Sequence, residues 1–248
     1  MNIKRIRLDH TDSTNHYLQS HKEGNECDAD MVVVTAEYQS DGHGQGSNNW
    51  ESERGKNLLC SLLVRPKGVK AAAQYVLSMG AALSVRDALA AYTADISVKW
   101  PNDIYYKDRK ICGILITCSL SGAYVTDCIC GIGLNINQTC FTSDAPNPIS
   151  LAQIIAAETD REAVLNRIIE AFKRYLERID CGDYRFVSSL YKASLYRKDG
   201  FHTYRDSHGL FEATIDDVKD NGHLVLKDRT GQRHTYAFKE VTFIIGND

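Results

Sequence analysis

The stretch KWPNDIYYKDRKICGIL, residues 99–115, decides how the middle of this chain is read. ISVKW (96–100) is a strand that stops at Pro101, a residue with no amide hydrogen to offer a ladder. Pro-Asn-Asp then reverses the chain, and Lys110 opens an apolar strand with Gly113 three residues on. That strand, KICGILITCSL, and AYVTDCICGIGLNI (123–136) read as a hairpin turning near Ser121 and Gly122. The tight turn brings Lys99 and Lys110 together. Two such lysines hold a phosphate between them, each a compact charge with three donors, or are two ordinary surface lysines. Asp103 has three open roles: orienting a lysine, helping to hold a metal, or closing an Asx turn.

On the N-terminal side, IKRIRL (3–8) reads as a strand and DSTNHYLQSHK (12–22) as a helix with small capping residues at its start. MVVVTAEY (31–38) and NLLCSLLV (57–64) are apolar strands. Between them lies a polar loop containing YQSDGHGQGSNNW (38–50). It lacks the lysine and hydroxyl of a P-loop, and SNNWESERGKN does not open the helix that a dinucleotide fingerprint requires. Two readings survive. The glycines let backbone amides approach a ligand on which Trp50 stacks, or the segment is a mobile loop with a tryptophan anchor. GIGLNIN (131–137) is equally open. Gly131 and Gly133 clear one face of a strand beside Asn135, either for a flat ligand or for close packing under a helix.

Residues 69–94 are alanine-rich with helical spacing and read as one long buried helix. Two or three helices follow between about 149 and 194, among them the amphipathic REAVLNRIIEAFKRYLERI. After about Tyr196 the pattern becomes five short strands separated by SHG, DNG and TGQ turns, which predicts a small barrel. The expected division is therefore 1–195 and 196–248.

Composition bounds the function. Hydrophobic and charged fractions of 43% and 25% are those of a globular protein, and 29 basic against 32 acidic residues leave a net charge of −3. No basic block marks a nucleic-acid surface, and no run of eighteen apolar residues marks a membrane span. The N-terminus lacks a signal-peptide core, so a cytoplasmic location is expected, with no membrane or nucleic-acid partner. The eight cysteines show no CxxC spacing and fall largely in apolar runs, as buried thiols. Cys128 and Cys130 share one strand face as core filler.

Taken together, DSTN (12–15), EYQSDGHGQGSNNW (37–50), KWPNDIYYKDRKICGIL (99–115) and GIGLNIN (131–137) resemble, in order and spacing, the biotin protein ligases, the biotin–[acetyl-CoA-carboxylase] ligase family. The resemblance spans almost the whole chain. It implies an α+β fold, a mixed sheet packed against helices in the class II synthetase-like manner, with a C-terminal SH3-like β-barrel. The activity implied is ATP-dependent formation of biotinyl-5′-AMP with release of pyrophosphate, then transfer of biotin to a lysine of a biotin carboxyl carrier domain. Lipoate or octanoate ligases share the general fold and stand as the alternative. Carried over by position, Ser13, Thr14, Asn15 and Gln39 face the biotin head group. Gly42, His43, Gly44 and Gln45 close over biotin and the adenylate, with Gly131 and Gly133 beneath. Lys110 touches the biotin carboxylate and α-phosphate, and Gly113 gives the ligand room. Lys99 faces the phosphates; Trp50, Asn48 and Asn135 face the adenine. Mg²⁺ is expected mainly through the phosphates, with Asp103 a further candidate. Related enzymes are monomers or homodimers.

Two departures stand out. Where family members carry arginines in a GRGRxGRxW loop, this chain has His43, Gln45 and Asn48, with Ser47 for a glycine. Each lost charged hydrogen bond to phosphate implies a grip weaker by about 1–3 kcal/mol. DSTN also arrives by residue 12, which leaves no expectation of a preceding DNA-reading domain.

Overall fold

The computed structural model describes residues 1–24, 29–44, 49–142 and 147–246. Seven strands form the main sheet: β1 (Ile3–Thr11), β2 (Met31–Gln39), β3 (Leu58–Val64), β4 (Ile96–Lys99), β5 (Asp103–Tyr106), β6 (Arg109–Ser121) and β7 (Tyr124–Leu134). Their order is β1-β2-β3-β7-β6-β5-β4. Only β1 and β2 pair in parallel, so the sheet is mixed as expected. The hydrophobic pattern explains the layout. β3, next to the central strand β7, is buried along its whole length, whereas edge strand β1 has only exposed and half-buried positions.

The helices are α1 (Thr14–His21), α2 (Tyr75–Leu89), α3 (Leu151–Ile155), α4 (Arg161–Asp180) and α5 (Tyr184–Ala193). One sheet face carries the main core, in which Val33, Cys60, Leu62, Cys130 and Ile132 pack with α2 and with the apolar stripe of α4. Each such buried aliphatic or aromatic side chain contributes about 1.5–3 kcal/mol. On the other face α1 packs through Leu18 on Val32, Val34, Leu63 and Ile129, the one helix there among the described residues. One short helix does not cover that face, and the candidate site occupies the rest of it.

The chain after α5 folds as β8 (His202–Asp206), β9 (Gly209–Val218), β10 (Leu224–Asp228), β11 (Arg233–Tyr236) and β12 (Thr242–Phe243), a second sheet in the order β11-β10-β9-β8-β12. The five expected strands are all present. Their apolar side chains, among them Tyr204, Leu224 and Phe243, join the main core without a break.

Three local readings differ. The long helix expected over 69–94 is a single 3-10 turn, Ala71–Ala73, followed by α2, because Val69 and Lys70 are drawn into extended pairing with residues 123–125 and the chain turns after Leu89. β1 runs to Thr11, since parallel pairing with β2 continues through His10–Tyr38 and Thr11–Gln39 despite the polar sequence. β5 has no counterpart in the sequence reading, which assigns only Pro-Asn-Asp to a turn between Lys99 and Lys110. Its four residues pair with β4 on one side and β6 on the other, so the chain reverses twice between Lys99 and Lys110. Among the described residues all seven cysteines are free; Cys60, Cys112, Cys128 and Cys130 are buried, and Cys27 lies outside them. No helix in the described residues is long and apolar enough to cross a membrane.

Candidate active site

A cleft of about 330 Å³ opens on the α1 face of the sheet. It is lined by Ser13, Thr14, Asn15, Gln39, His43, Gly44, Trp50, Lys99, Asp103, Lys110, Gly113, Gly131 and Gly133. Residues from five separate sequence segments thus meet in one place. Gly42 is buried behind Gln39 and Trp50, and Asn135 sits 3% exposed at the end of β7; neither lines the cleft. Gln45, Ser47 and Asn48 lie outside the described residues.

One end of the cleft is a buried polar network. Gln39 Oε1 accepts from the Thr14 amide (2.8 Å) and the Thr14 hydroxyl (3.0 Å). Ser61 Oγ lies 2.7 Å from Thr14 Oγ1 and donates to Asn15 Oδ1 at 2.5 Å, while Asn15 Nδ2 reaches Leu115 O at 3.4 Å. Ser13 is the helix N-cap but makes no side-chain capping bond, so its hydroxyl is not committed to the helix. Ser61 was not anticipated. Its signal was a lone hydroxyl inside the apolar run NLLCSLLV, at a position that is 0% exposed. Buried polar groups persist where they are paired, and these four residues pair one another around the cleft wall.

The floor is built by glycines. Gly113 and Gly133 are register partners across β6 and β7. A Cβ on Gly133 would fall 2.5 Å from Trp50 Cε2, and one on Gly113 3.0 Å from Trp50 Cζ3, so the indole lies flat on the bare backbone. Gly131 likewise admits Asn15, whose Oδ1 would be 2.3 Å from an added Cβ. The space expected for a ligand is filled here by the chain's own side chains. Trp50 Nε1 is buried and finds no partner among the described residues, as does Asn135 Oδ1. The ends of the glycine loop are pinned together, with Trp50 N donating to Gly42 O (2.8 Å) and a bridge between His43 and Asn49. His43 Nε2 also pairs with Asp41 at 2.9 Å.

The other end is cationic. Lys110 Nζ lies 2.8 Å from Asp103 Oδ1 and 5.8 Å from the Trp50 ring. Lys99 Nζ sits between the rings of Tyr105 (5.4 Å) and Phe243 (5.0 Å). Burial, the largest cause, holds the Lys99 ammonium below its ordinary value of 10.5. Asp103 opposes this, and Lys110 and Arg197 reinforce it. The turn between these lysines is held from three directions. Asn102 Nδ2 donates to Ile114 O, Trp100 Nε1 donates to Gly222 O (2.8 Å), and Pro101 O accepts from both Tyr75 and Tyr191 hydroxyls at 2.7 Å each. Asn102 also lines the cleft, as do Phe238, Lys239, Thr242 and Phe243 of the C-terminal unit. None of these was anticipated as a site residue; Asn102 was read only as part of a turn.

The profile of the biotin/lipoate A/B protein ligase family matches residues 8–135, which carry every cleft residue named above except those of the C-terminal unit. The chain belongs to the biotin/lipoate A/B protein ligase family. Among curated proteins of the family, the chain is 31% identical over 212 residues to the biotin–[acetyl-CoA-carboxylase] ligase of Paracoccus denitrificans, covering 81% of this chain and 85% of that protein. It is 27% identical over 224 residues to the bifunctional ligase/repressor BirA of Bacillus spizizenii, covering 88% of this chain and 68% of that protein. The biotin protein ligase of Aquifex aeolicus, solved in complex with biotin and ATP, shares the fold with a TM-score of 0.78 at 22% identity, covering 98% of this chain and 99% of that one. That match extends through the C-terminal sheet. Within this ligase family fold, the α+β architecture and the small C-terminal β unit read from the sequence are both present.

Proposed function

We propose that the protein is an ATP-dependent biotin ligase: it joins biotin to ATP as biotinyl-5′-AMP, releases pyrophosphate, and transfers biotin to a lysine of a carboxylase's biotin carboxyl carrier domain in the cytoplasm. The observation that carries this reading is the adjacency, in one cleft, of a neutral donor and acceptor network and a lysine pair. A ureido ring offers N–H donors and a carbonyl acceptor, which suit the hydroxyls and amides of Ser13, Thr14, Asn15 and Gln39. A carboxylate attacking a phosphate brings two anions together, which suits Lys110 and Lys99.

In this reading no protein nucleophile is needed. The biotin carboxylate oxygen bonds to the α-phosphorus, pyrophosphate leaves, and the chain's work is positioning and charge stabilisation. In this reading Lys110, paired with Asp103, serves the carboxylate and α-phosphate. Lys99 serves the phosphates, and Trp50, whose ring lines the cleft, serves the adenine. Magnesium, if bound, would be held mainly by the phosphates and would add positive charge there. Asp103 is the only carboxylate among the described residues lining the cleft, and it is already paired with Lys110. We place the ligase unit in 1–195 and the accessory β unit in 196–248. Pyrophosphate release from ATP, measured with biotin and separately with lipoate, tests the reading: release with biotin alone supports it, and release with lipoate alone replaces it by lipoate activation.

A further inference from the structure

Lys110 owes its direction to a bulge in β6. That strand pairs Cys112 with Ile104 but Lys110 with Tyr105, so Ile111 is an extra residue with no partner on β5. Ile111 and Cys112 are both buried in the main core, while Lys110 and Gly113 both line the cleft. In an unbroken strand, residues two apart share a face, and Lys110 would lie on the core side with Cys112. The bulge turns this ammonium from the core to the cleft.

The backbone at the bulge is held by a segment from elsewhere in the chain. The pairing of β6 with β7 reaches only Cys112 and Leu134, and Asn135 N donates to Ile111 O (3.0 Å) just beyond it. Residues 147–149 then take the place of β7. Lys110 N donates to Asn147 O and Ile149 N donates to Lys110 O, each at 2.9 Å, a parallel bridge centred on Pro148. Asn147 anchors this strap. Its backbone is left-handed, with φ +66°, a conformation that asparagine adopts more readily than most residues. Its side-chain amide donates to Asp108 O in the turn between β5 and β6, and Arg109 Nη2 donates to Pro148 O (2.7 Å) beside it. One residue thus joins the turn that precedes Lys110 to the amide of Lys110 itself.

We propose that Asn147 is a positioning residue: it holds the bulge that aims Lys110 at the reacting carboxylate and α-phosphate, while Asp103 fixes the far end of the same side chain. This rests on the ligase reading above. Asn147 does not itself line the cleft, so it acts through Lys110.

Two variants test this. Asn147→Gly permits the left-handed backbone and removes the amide; Asn147→Asp keeps the shape and replaces the donor with a carboxylate facing the Asp108 carbonyl. Single-turnover formation of biotinyl-adenylate from labelled ATP is measured in the full-length chain for each variant, alone and combined with Lys110→Ala. Each alone slows the limiting rate roughly tenfold and leaves the half-saturating biotin and ATP concentrations unchanged, because a misaimed cation costs transition-state stabilisation rather than binding. In the Lys110→Ala background neither slows the residual rate further, the non-additivity of a residue that acts through Lys110. An unchanged rate, weakened binding at a normal limiting rate, or an equal factor of loss in both backgrounds overturns the inference, whatever the thermal midpoint. Absence of adenylate formation by the wild type overturns the functional reading, and this inference with it; equal rates for the wild type and both variants overturn this inference alone.

Discussion

Lys110 Nζ and Asp103 Oδ1 lie 2.8 Å apart across the hairpin of β5 and β6, both facing the cleft. With side chains 32% and 23% exposed, the pair adds little to stability, and on the proposed function it serves to aim the ammonium. Asp103→Asn is expected to reduce biotin-dependent ATP–pyrophosphate exchange by roughly tenfold, and Lys110→Ala by about a hundredfold or more, with little change in thermal midpoint for either. Exchange kinetics beside thermal melts check this.

Ser61 is fully buried and ties Asn15 to Thr14. Ser61→Ala leaves Asn15 Oδ1 short of a donor in a buried wall, at a cost of about 1–3 kcal/mol. Denaturant unfolding is expected to report that loss, with a raised KM for biotin and an unchanged KM for ATP. An ATP defect of equal size would place Ser61 elsewhere in the mechanism.

The two glycines of β7 carry different neighbours, so their alanine variants are expected to fail differently. Gly131→Ala puts a methyl where Asn15 Oδ1 now sits, 2.3 Å away, and weakens biotin binding first. Gly133→Ala collides with the Trp50 indole at 2.5 Å and weakens nucleotide binding first. Isothermal titration of each variant with biotin and with an ATP analogue separates the two losses.

Lys99 has a pH signature. Its folded-state pKa lies below 10.5 chiefly because the ammonium is buried. The folded protein therefore sheds that proton before the unfolded chain does. Its penalty on stability is full below the folded pKa and is relieved as pH rises towards 10.5. On the proposed role of Lys99, phosphate binding runs the other way, since the cation is lost as pH rises through the lowered pKa. The alkaline limb of kcat/KM for ATP is expected below the ordinary lysine range and shifts upward in Lys99→Arg, which stays charged. A limb that does not move in Lys99→Arg assigns it to another group.

The sequence carried much of this architecture because strand patterning and turn chemistry are local. The hairpin of β6 and β7, the five C-terminal strands and the amphipathic α4 follow from residues next to one another. What escaped were features set by distant partners. β5 is too short to show a period and exists because β4 and β6 flank it. Ser61 is one hydroxyl in an apolar strand until α1 is laid across it. Asn147 is one residue of an irregular segment until β6 is laid beside it. The glycines of β7 were legible as cleared space, but that Trp50 and Asn15 fill it depends on tertiary packing.

On the proposed function, Lys110 supports activation of biotin for a carrier lysine. Transfer of labelled biotin to a purified biotin carboxyl carrier domain, in the presence of MgATP, tests it most directly with wild type and Lys110→Ala side by side. Labelling of a single carrier lysine by the wild type and loss of nearly all of it in the variant are expected. Full labelling by Lys110→Ala, or none by the wild type, would contradict it.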